Sequence, residues 1–121
     1  MKKLHHRRIL GRTAAGRSYL LKSLISAILE HKSIVTTEAK GKEMRLYLEP
    51  LITKAKAGDS LANRRLLISR LGHKEEVKEL FAVAKANANR PGGYLRVTRL
   101  PHKRMDAAKM VRVDFVEEIK A

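Results

Sequence analysis

The sequence predicts an α+β fold with two layers, in which helices cover one face of a small sheet. Apolar residues in 77–84 recur at i, i+3, i+4 and i+7, which is typical of an amphipathic helix. Apolar residues in 110–116 alternate with polar ones, as in a half-buried strand. The predicted order is helix, strand, three helices and two strands, and such separate runs favour this class. The length of 121 residues is typical of one domain, which we predict at 14–121. Residues 1–13 have no apolar period, and we predict that they form a basic extension.

The first helix is predicted to run from Ala14 to His31, where cations in the last turn suit the helix dipole. Its apolar residues lie on one broad face: Leu20, Leu21, Leu24, Ile25, Ile28 and Leu29. The β-branched residues of 33–36 then predict a short strand.

The second helix is predicted to begin at Thr36 or Thr37, because threonine side chains accept from the free N–H groups at helix starts. Pro50 cannot donate an internal hydrogen bond, so we expect a kink near Tyr47. The apolar residues at core spacing are Met44, Leu48, Leu51, Ile52 and Ala55.

A third helix is predicted between a capping Asp59 and a terminating Gly72. Its candidate core residues are Leu61, Leu67, Ile68 and Leu71. The fourth helix has Glu75 and Glu76 in its first turn, where negative charge is favourable, and we expect Leu80 and Phe81 to be core. A loop at 87–93, a strand at 94–100, a hairpin loop at 102–109 and a strand at 110–116 complete the chain.

The formal net charge of +15 is concentrated in two regions. Residues 1–29 contain seven Lys or Arg residues and no Asp or Glu, and residues 90–112 contain seven against the single acid Asp106. Self-repulsion on that scale opposes folding unless a polyanion neutralises it. We therefore predict a surface that binds nucleic acid.

Several classes of function find no support in the sequence. The chain has no cysteine, so disulfides and thiolate chemistry are excluded, and no apolar run is long enough to span a membrane. No GxxxxGK[ST] or GxGxxG loop is present, and no motif suggests an enzyme. His5 and His6 are adjacent and point in different directions, and no cysteine or nearby carboxylate completes a site, so we expect no bound metal. We likewise expect no cofactor and no small-molecule substrate.

The loop at 87–93 allows two interpretations. It is either a plain turn, or Gly92 and Gly93 bring bare backbone close to a ribose-phosphate strand beside Arg90. Tyr94 either stacks on a base or covers a face of the sheet.

Two rival functions remain open. An architectural DNA-binding protein would share the charge, although the sequence has no heptad seam for a dimer. A membrane-surface protein could use 14–31 as an amphipathic helix, although this segment contains no Trp or Phe.

Four stretches of the sequence resemble bacterial large-subunit ribosomal protein number seventeen, in the same order and spacing. They are HKSIVTTEAK at 31–40 with Lys42 and Glu43, EPLITKAK at 49–56, ANRR at 62–65, and Arg90 with Gly92, Gly93, Tyr94 and Arg96. The resemblance spans essentially the whole chain. It implies the same order of elements and a structural role on the cytoplasmic ribosome.

The resemblance further implies binding to large-subunit ribosomal RNA near the solvent-side rim of the peptide exit tunnel, beside other large-subunit proteins. In this interpretation the arginines of the extension thread between RNA helices and the body docks through a basic face. The expected RNA-binding residues are Lys2, Lys3, His5, His6, Arg7, Arg8, Arg12, Arg17, Lys22, Arg64, Arg65, Arg90, Arg96, Arg99, Lys103 and Arg104.

Overall fold

Four helices and a three-stranded antiparallel sheet form the part of the chain that the computed structural model describes, residues 8–101 and 104–119. In chain order the elements are α1 (Ala14–His31), β1 (Ser33–Thr37), α2 (Glu38–Lys56), α3 (Leu61–Leu71), α4 (Lys74–Ala86), β2 (Leu95–Arg99) and β3 (Met110–Phe115). The predicted α+β class and the predicted order of elements are confirmed.

The last strand in sequence, β3, lies in the middle of the sheet and pairs antiparallel with both β1 and β2. Val113 has Ile34 and Val97 as its cross-strand partners, on the face that is buried against the helices. Arg112 lies on the opposite face, between Val35 and Thr98. The alternation seen in the sequence therefore sets which face of β3 meets the core.

Helix α2 approaches this central strand closely through Gly41. A β-carbon built on Gly41 would lie 2.8 Å from Cγ2 of Val111 and 3.1 Å from Cγ2 of Val113. Only a residue without a β-carbon allows this approach, so Gly41 sets the distance between helix and sheet. All four helices contribute fully buried side chains to one core with β3, such as Ile25, Leu48, Leu67 and Leu80.

The helix ends follow the expected chemistry in most places. The N-cap of α1 is Thr13, whose hydroxyl accepts from the backbone N–H of Gly16 at 3.2 Å. Thr37 is the N-cap residue of α2, as predicted, although its side chain makes no capping hydrogen bond. Gly72 ends α3 in the left-handed region with φ of 94°, which confirms the predicted stop. Pro50 lies inside α2 as expected, and the kink near it stays a prediction.

Two predictions about α3 are wrong. Ser60, not Asp59, caps the helix, because its hydroxyl accepts from the backbone N–H of Asn63 at 3.2 Å. Asp59 instead pairs with Arg64. Leu61 is 65% exposed rather than core. Leu61 and the buried Leu67 are six residues apart, and each residue turns the helix by about 100°. The two side chains therefore point roughly 120° apart around the helix axis.

In α4 the prediction for Leu80 is confirmed, since this residue is fully buried. Phe81 packs against the core but is only partly buried, so the prediction that it is a fully buried core residue is wrong. It lies about 100° beyond Leu80 around the helix and lines a surface groove with Ala55 and Ala84.

Candidate nucleic-acid interface

The first described residue of the basic extension lies against the body of the protein. Arg8 lines a shallow groove together with Thr37, Glu38, Ala39, Lys42 and Lys109. We call this surface the tail groove. It forms where the start of α2 and the start of β3 come together, because the backbone N–H of Glu38 donates to the carbonyl oxygen of Lys109 at 2.9 Å.

Cations from three parts of the chain surround the carboxylate of Glu38. Nζ of Lys42 donates to Oε1 at 2.7 Å, and Nη2 of Arg99 donates to the same oxygen at 3.3 Å. The hydrogen bond from Lys42 and the charges of Arg99, Lys42 and Lys109 lower the pKa of Glu38, against an opposing effect of burial. The carboxylate is therefore held in its charged form at the centre of the tail groove.

A second acid, Glu43, lies beneath Arg8. The backbone N–H and Nη1 of Arg8 both approach Oε2 of Glu43 at 3.4 Å. Glu43 is only 1% exposed, and it lies on the second turn of α2. This contact joins Arg8, a residue of the extension, to α2.

The acids of the tail groove are shielded and its cations are exposed. The side chain of Glu38 is 17% exposed, whereas that of Arg99 is 73% exposed. The side chains of Lys42 and Arg8 are 38% and 42% exposed. Because solvent-facing charges dominate the potential that a ligand meets, the groove presents positive charge despite its two carboxylates.

Four of the arginines expected to bind RNA are paired with carboxylates elsewhere on the surface. Arg96 pairs with Asp114 at 3.0 Å and Arg90 with Glu117 at 3.2 Å. The other two pairs are Arg104 with Asp106 and Arg64 with Asp59. The bond to Asp59 raises the pKa of Arg64, and the bond to Asp114 raises that of Arg96. An arginine in such a pair must share its donors, or exchange its partner, to contact a phosphate.

Within residues 8–101 and 104–119, the expected contact residues lie on several different elements. Arg64 and Arg65 lie on α3, which packs mainly on the other helices, whereas Arg96 and Arg99 lie on β2. At the start of α1, Nη1 of Arg17 donates to the carbonyl oxygen of Arg12 at 2.7 Å. Lys22 has no ion pair with any residue in 8–101 or 104–119, and Lys2, Lys3, His5, His6, Arg7 and Lys103 lie outside the described residues.

Of the two interpretations of Tyr94, the structure supports burial against the fold and not stacking on a base. Its side chain is only 1% exposed, and its hydroxyl lies 3.2 Å from both Oγ1 of Thr53 and Nζ of Lys56. The hydrogen bonds with Thr53 and then Lys56 lower the pKa of Tyr94, against the effect of burial. Nζ of Lys56 also donates to the carbonyl oxygen of Arg90, so Lys56 links both Tyr94 and the 87–93 loop to α2.

Sequence reasoning missed Lys42 and Lys109 as members of the site. The spacing of Glu38 and Lys42 at i and i+4 on one helix was the available signal for the first of them. Lys109 precedes β3 in the chain and reaches α2 only through the fold, so the sequence alone offered no signal for it.

The described residues hold no group of three His, Cys, Asp or Glu side chains that could bind a metal ion. No helix within the same ranges is long and apolar enough to cross a membrane. The fold and the tail groove thus define the class of protein to which this chain belongs. It is a small, strongly basic α+β protein in which exposed cations lie beside shielded carboxylates.

Comparison with known proteins agrees with this class. Residues 20–116 match the family model described as Ribosomal protein L17. A Phocaeicola vulgatus protein named Large ribosomal subunit protein bL17 is 41% identical over 117 residues, which are 96% of this chain and 70% of that protein. The protein of the same name from Porphyromonas gingivalis is 42% identical over 96% of this chain and 71% of its own length. That from Salinibacter ruber is 41% identical over 89% and 55%.

The chain belongs to the ribosomal protein L17 family. The resemblance noted in the sequence is therefore confirmed. Members of this family are structural ribosomal proteins and not enzymes. The predicted structural, non-enzymatic role and the predicted location on the cytoplasmic ribosome are therefore confirmed.

Proposed function

We propose that this chain binds large-subunit ribosomal RNA through residues 1–13 and the tail groove, as a structural constituent of the large ribosomal subunit. Its relatives are named for that subunit. In this proposal residues 14–121 fold as one domain, and the extension threads between RNA helices. A position near the rim of the peptide exit tunnel, beside other large-subunit proteins, is the finer part of the proposal and rests on the family resemblance.

The observation that carries the proposal is the convergence of cations in the tail groove. Lys42, Arg99 and Lys109 come from α2, β2 and the hairpin and act on the partly shielded carboxylate of Glu38. Arg8 of the extension lines the same groove and contacts Glu43. A phosphate group entering the groove would give these donors a second acceptor without uncovering Glu43. Arginine can grip it with two parallel hydrogen bonds, whereas lysine acts as a point charge.

The groove is continuous with a segment that carries no acid. Residues 1–13 contain five Lys or Arg residues and no carboxylate, and Arg8 of this segment contacts Glu43 of the body. Contacts of this kind neutralise phosphates and release counterions, so affinity should fall steeply with salt. They read the shape of folded RNA and its 2′-hydroxyls more than its base sequence.

Sedimentation of the tagged chain in cell lysate tests the proposal. Co-migration with large subunits that survives moderate salt and is lost after ribonuclease treatment is the expected result. Migration at the top of the gradient would contradict it. Loss from chromosomal fractions on deoxyribonuclease treatment would favour an architectural DNA-binding protein instead.

Substitution in the groove separates its role from that of charge in general. Lys42→Gln with Lys109→Gln should weaken binding to ribosomal RNA and lower the salt dependence. Lys74→Gln with Lys78→Gln removes the same charge from the exposed surface of α4 and serves as the matched control. Equal losses from the two pairs would show that the groove has no special role.

The extension can be tested without disturbing the body. A chain that lacks residues 1–7 keeps the contact between Arg8 and Glu43 and the cap at Thr13. We expect it to fold and to incorporate poorly into large subunits. Unchanged incorporation would contradict the threading of the extension.

A further inference from the structure

One aromatic side chain on α1 takes no part in the fold. Tyr19 is 76% exposed, and its hydroxyl makes no hydrogen bond within residues 8–101 and 104–119. The other four aromatic residues of the chain are buried or partly buried: Tyr47, Phe81, Tyr94 and Phe115. Tyr19 is therefore the one aromatic ring that the body presents openly to a partner.

The helix neighbours of Tyr19 leave most of its side chain in solvent. Residues three and four positions away on a helix lie on the same side, and here they are Ala15, Gly16, Lys22 and Ser23. Three of them are small, and the fourth, Lys22, supplies a cation next to the ring. The buried face of α1, formed by Leu21 and the residues that follow it at helical spacing, points away from Tyr19.

Along α1 itself, the charged residues nearest to Tyr19 are positive. No acid occurs in α1 before Glu30, which is about 16 Å further along the helix axis at 1.5 Å per residue. Lys22 lies one turn after Tyr19 and has no carboxylate partner in the described part of the chain. Arg12 precedes the N-cap of α1, and its Nη1 donates to the carbonyl oxygen of Leu10 at 2.9 Å.

We propose that Tyr19 stacks on an unpaired base of ribosomal RNA, with Lys22 and Arg12 on the flanking phosphates. An open ring beside cations suits a single-stranded nucleic acid, because each base offers a π-face and each nucleotide a negative charge. Bases in a duplex are stacked on each other and offer no face to a side chain. The inference rests on the proposed RNA-binding function and assigns to Tyr19 the stacking role that the buried Tyr94 cannot have.

Binding of the full chain to a 12-nucleotide adenylate and to a 12-base-pair RNA duplex tests the inference. Tyr19→Leu should weaken binding to the single strand roughly tenfold and leave binding to the duplex unchanged. Tyr19→Phe should retain the single-strand affinity. Because Tyr19 is exposed, we expect the wild type and both variants to have equal thermal midpoints of unfolding. Equal midpoints show that the substitutions leave the fold intact.

The dependence on salt distinguishes stacking from charge. Tyr19→Leu should leave the slope of log K against log[salt] unchanged, because it removes no cation. Lys22→Gln should lower the slope by about 0.7 on a single strand.

Fluorescence gives an independent readout, since the chain contains no tryptophan. The emission of Tyr19→Trp should be quenched when the adenylate stacks on the new ring. Leu46→Trp places a ring at another exposed position, on α2, and should be quenched far less.

The outcomes separate the two levels of the proposal. If the wild-type chain binds neither RNA, the proposed function itself fails. If it binds both, and Tyr19→Leu binds the single strand as tightly as the wild type, RNA binding stands and the role of Tyr19 is overturned. That result would leave the open ring as a contact for a neighbouring protein.

Discussion

Arg96 and Asp114 are direct partners across the ladder between β2 and β3, and Nη2 of Arg96 donates to Oδ2 of Asp114 at 3.0 Å. Both lie on the face of the sheet that turns away from the helices. The pair shows a general feature of this basic surface, in which many arginines already have a carboxylate partner. Their contribution to RNA binding depends on how readily they give up that partner.

We expect Asp114→Asn to strengthen binding to ribosomal RNA, because it frees the donors of Arg96. The slope of log K against log[salt] should rise by about 0.7 to 0.9 if the freed arginine gains one phosphate. Glu30→Gln is the matched control, since it removes one exposed carboxylate whose only ion pair within residues 8–101 and 104–119 is with His31 at 3.8 Å. If both variants raise affinity equally, net charge and not release of Arg96 is responsible.

Glu38 should make stability depend on pH in the acid range. Its pKa is lowered in the folded state, so its contribution is present above the ordinary carboxyl pKa of about 4 and is lost as the pH falls through the lowered value. The difference in unfolding free energy between the wild type and Glu38→Gln should therefore shrink on acidification, as measured by urea unfolding. In a Lys42→Met background the pH dependence should be weaker, and an unchanged dependence would contradict the assigned cause.

Leu80→Ala should destabilise the fold more than Phe81→Ala, although phenylalanine is the larger residue. Leu80 is fully buried, and such truncations cost about 2 to 5 kcal/mol. Phe81 is partly exposed, so its loss should fall below the roughly 3 to 5 kcal/mol that is typical of a fully buried ring. Urea unfolding of both variants measures the difference, and the reverse order would show that α4 packs with another face.

Gly41→Ala should destabilise the protein despite the better helix propensity of alanine. The new β-carbon would lie 2.8 Å from a methyl group of Val111, which is buried on the central strand. Overpacking of this kind costs about 1 to 3 kcal/mol, of which helix propensity offsets about 1 kcal/mol.

The control for this substitution is Gly16→Ala in α1, whose β-carbon would meet nothing closer than 3.4 Å. We expect it to be neutral or slightly stabilising in the same unfolding measurement. A double variant of Gly41→Ala with Val111→Ala should show a smaller loss than the sum of the two single losses, because the clash is removed. Additive losses would indicate that the clash is relieved elsewhere.

The sequence by itself determined the elements, their order and the inward face of the sheet. Helical spacing at 77–84 and alternation at 110–116 are local patterns, and each depends only on the geometry of a single element. The acid-free segment at 1–29 likewise located the excess charge without knowledge of the fold. Local rules failed at the start of α3, where Ser60 and not Asp59 is the cap and Leu61 is exposed.

Only the tertiary structure decided which charges meet. The central position of β3 brings Lys109 to the start of α2, and the fold places Arg99 on the same carboxylate as Lys42. It also buried Tyr94 and left Tyr19 open, a distinction between two tyrosines that composition cannot make. Pairing of charges and burial of rings depend on the approach of residues that are distant in the chain, and this approach is fixed by packing, not by local pattern.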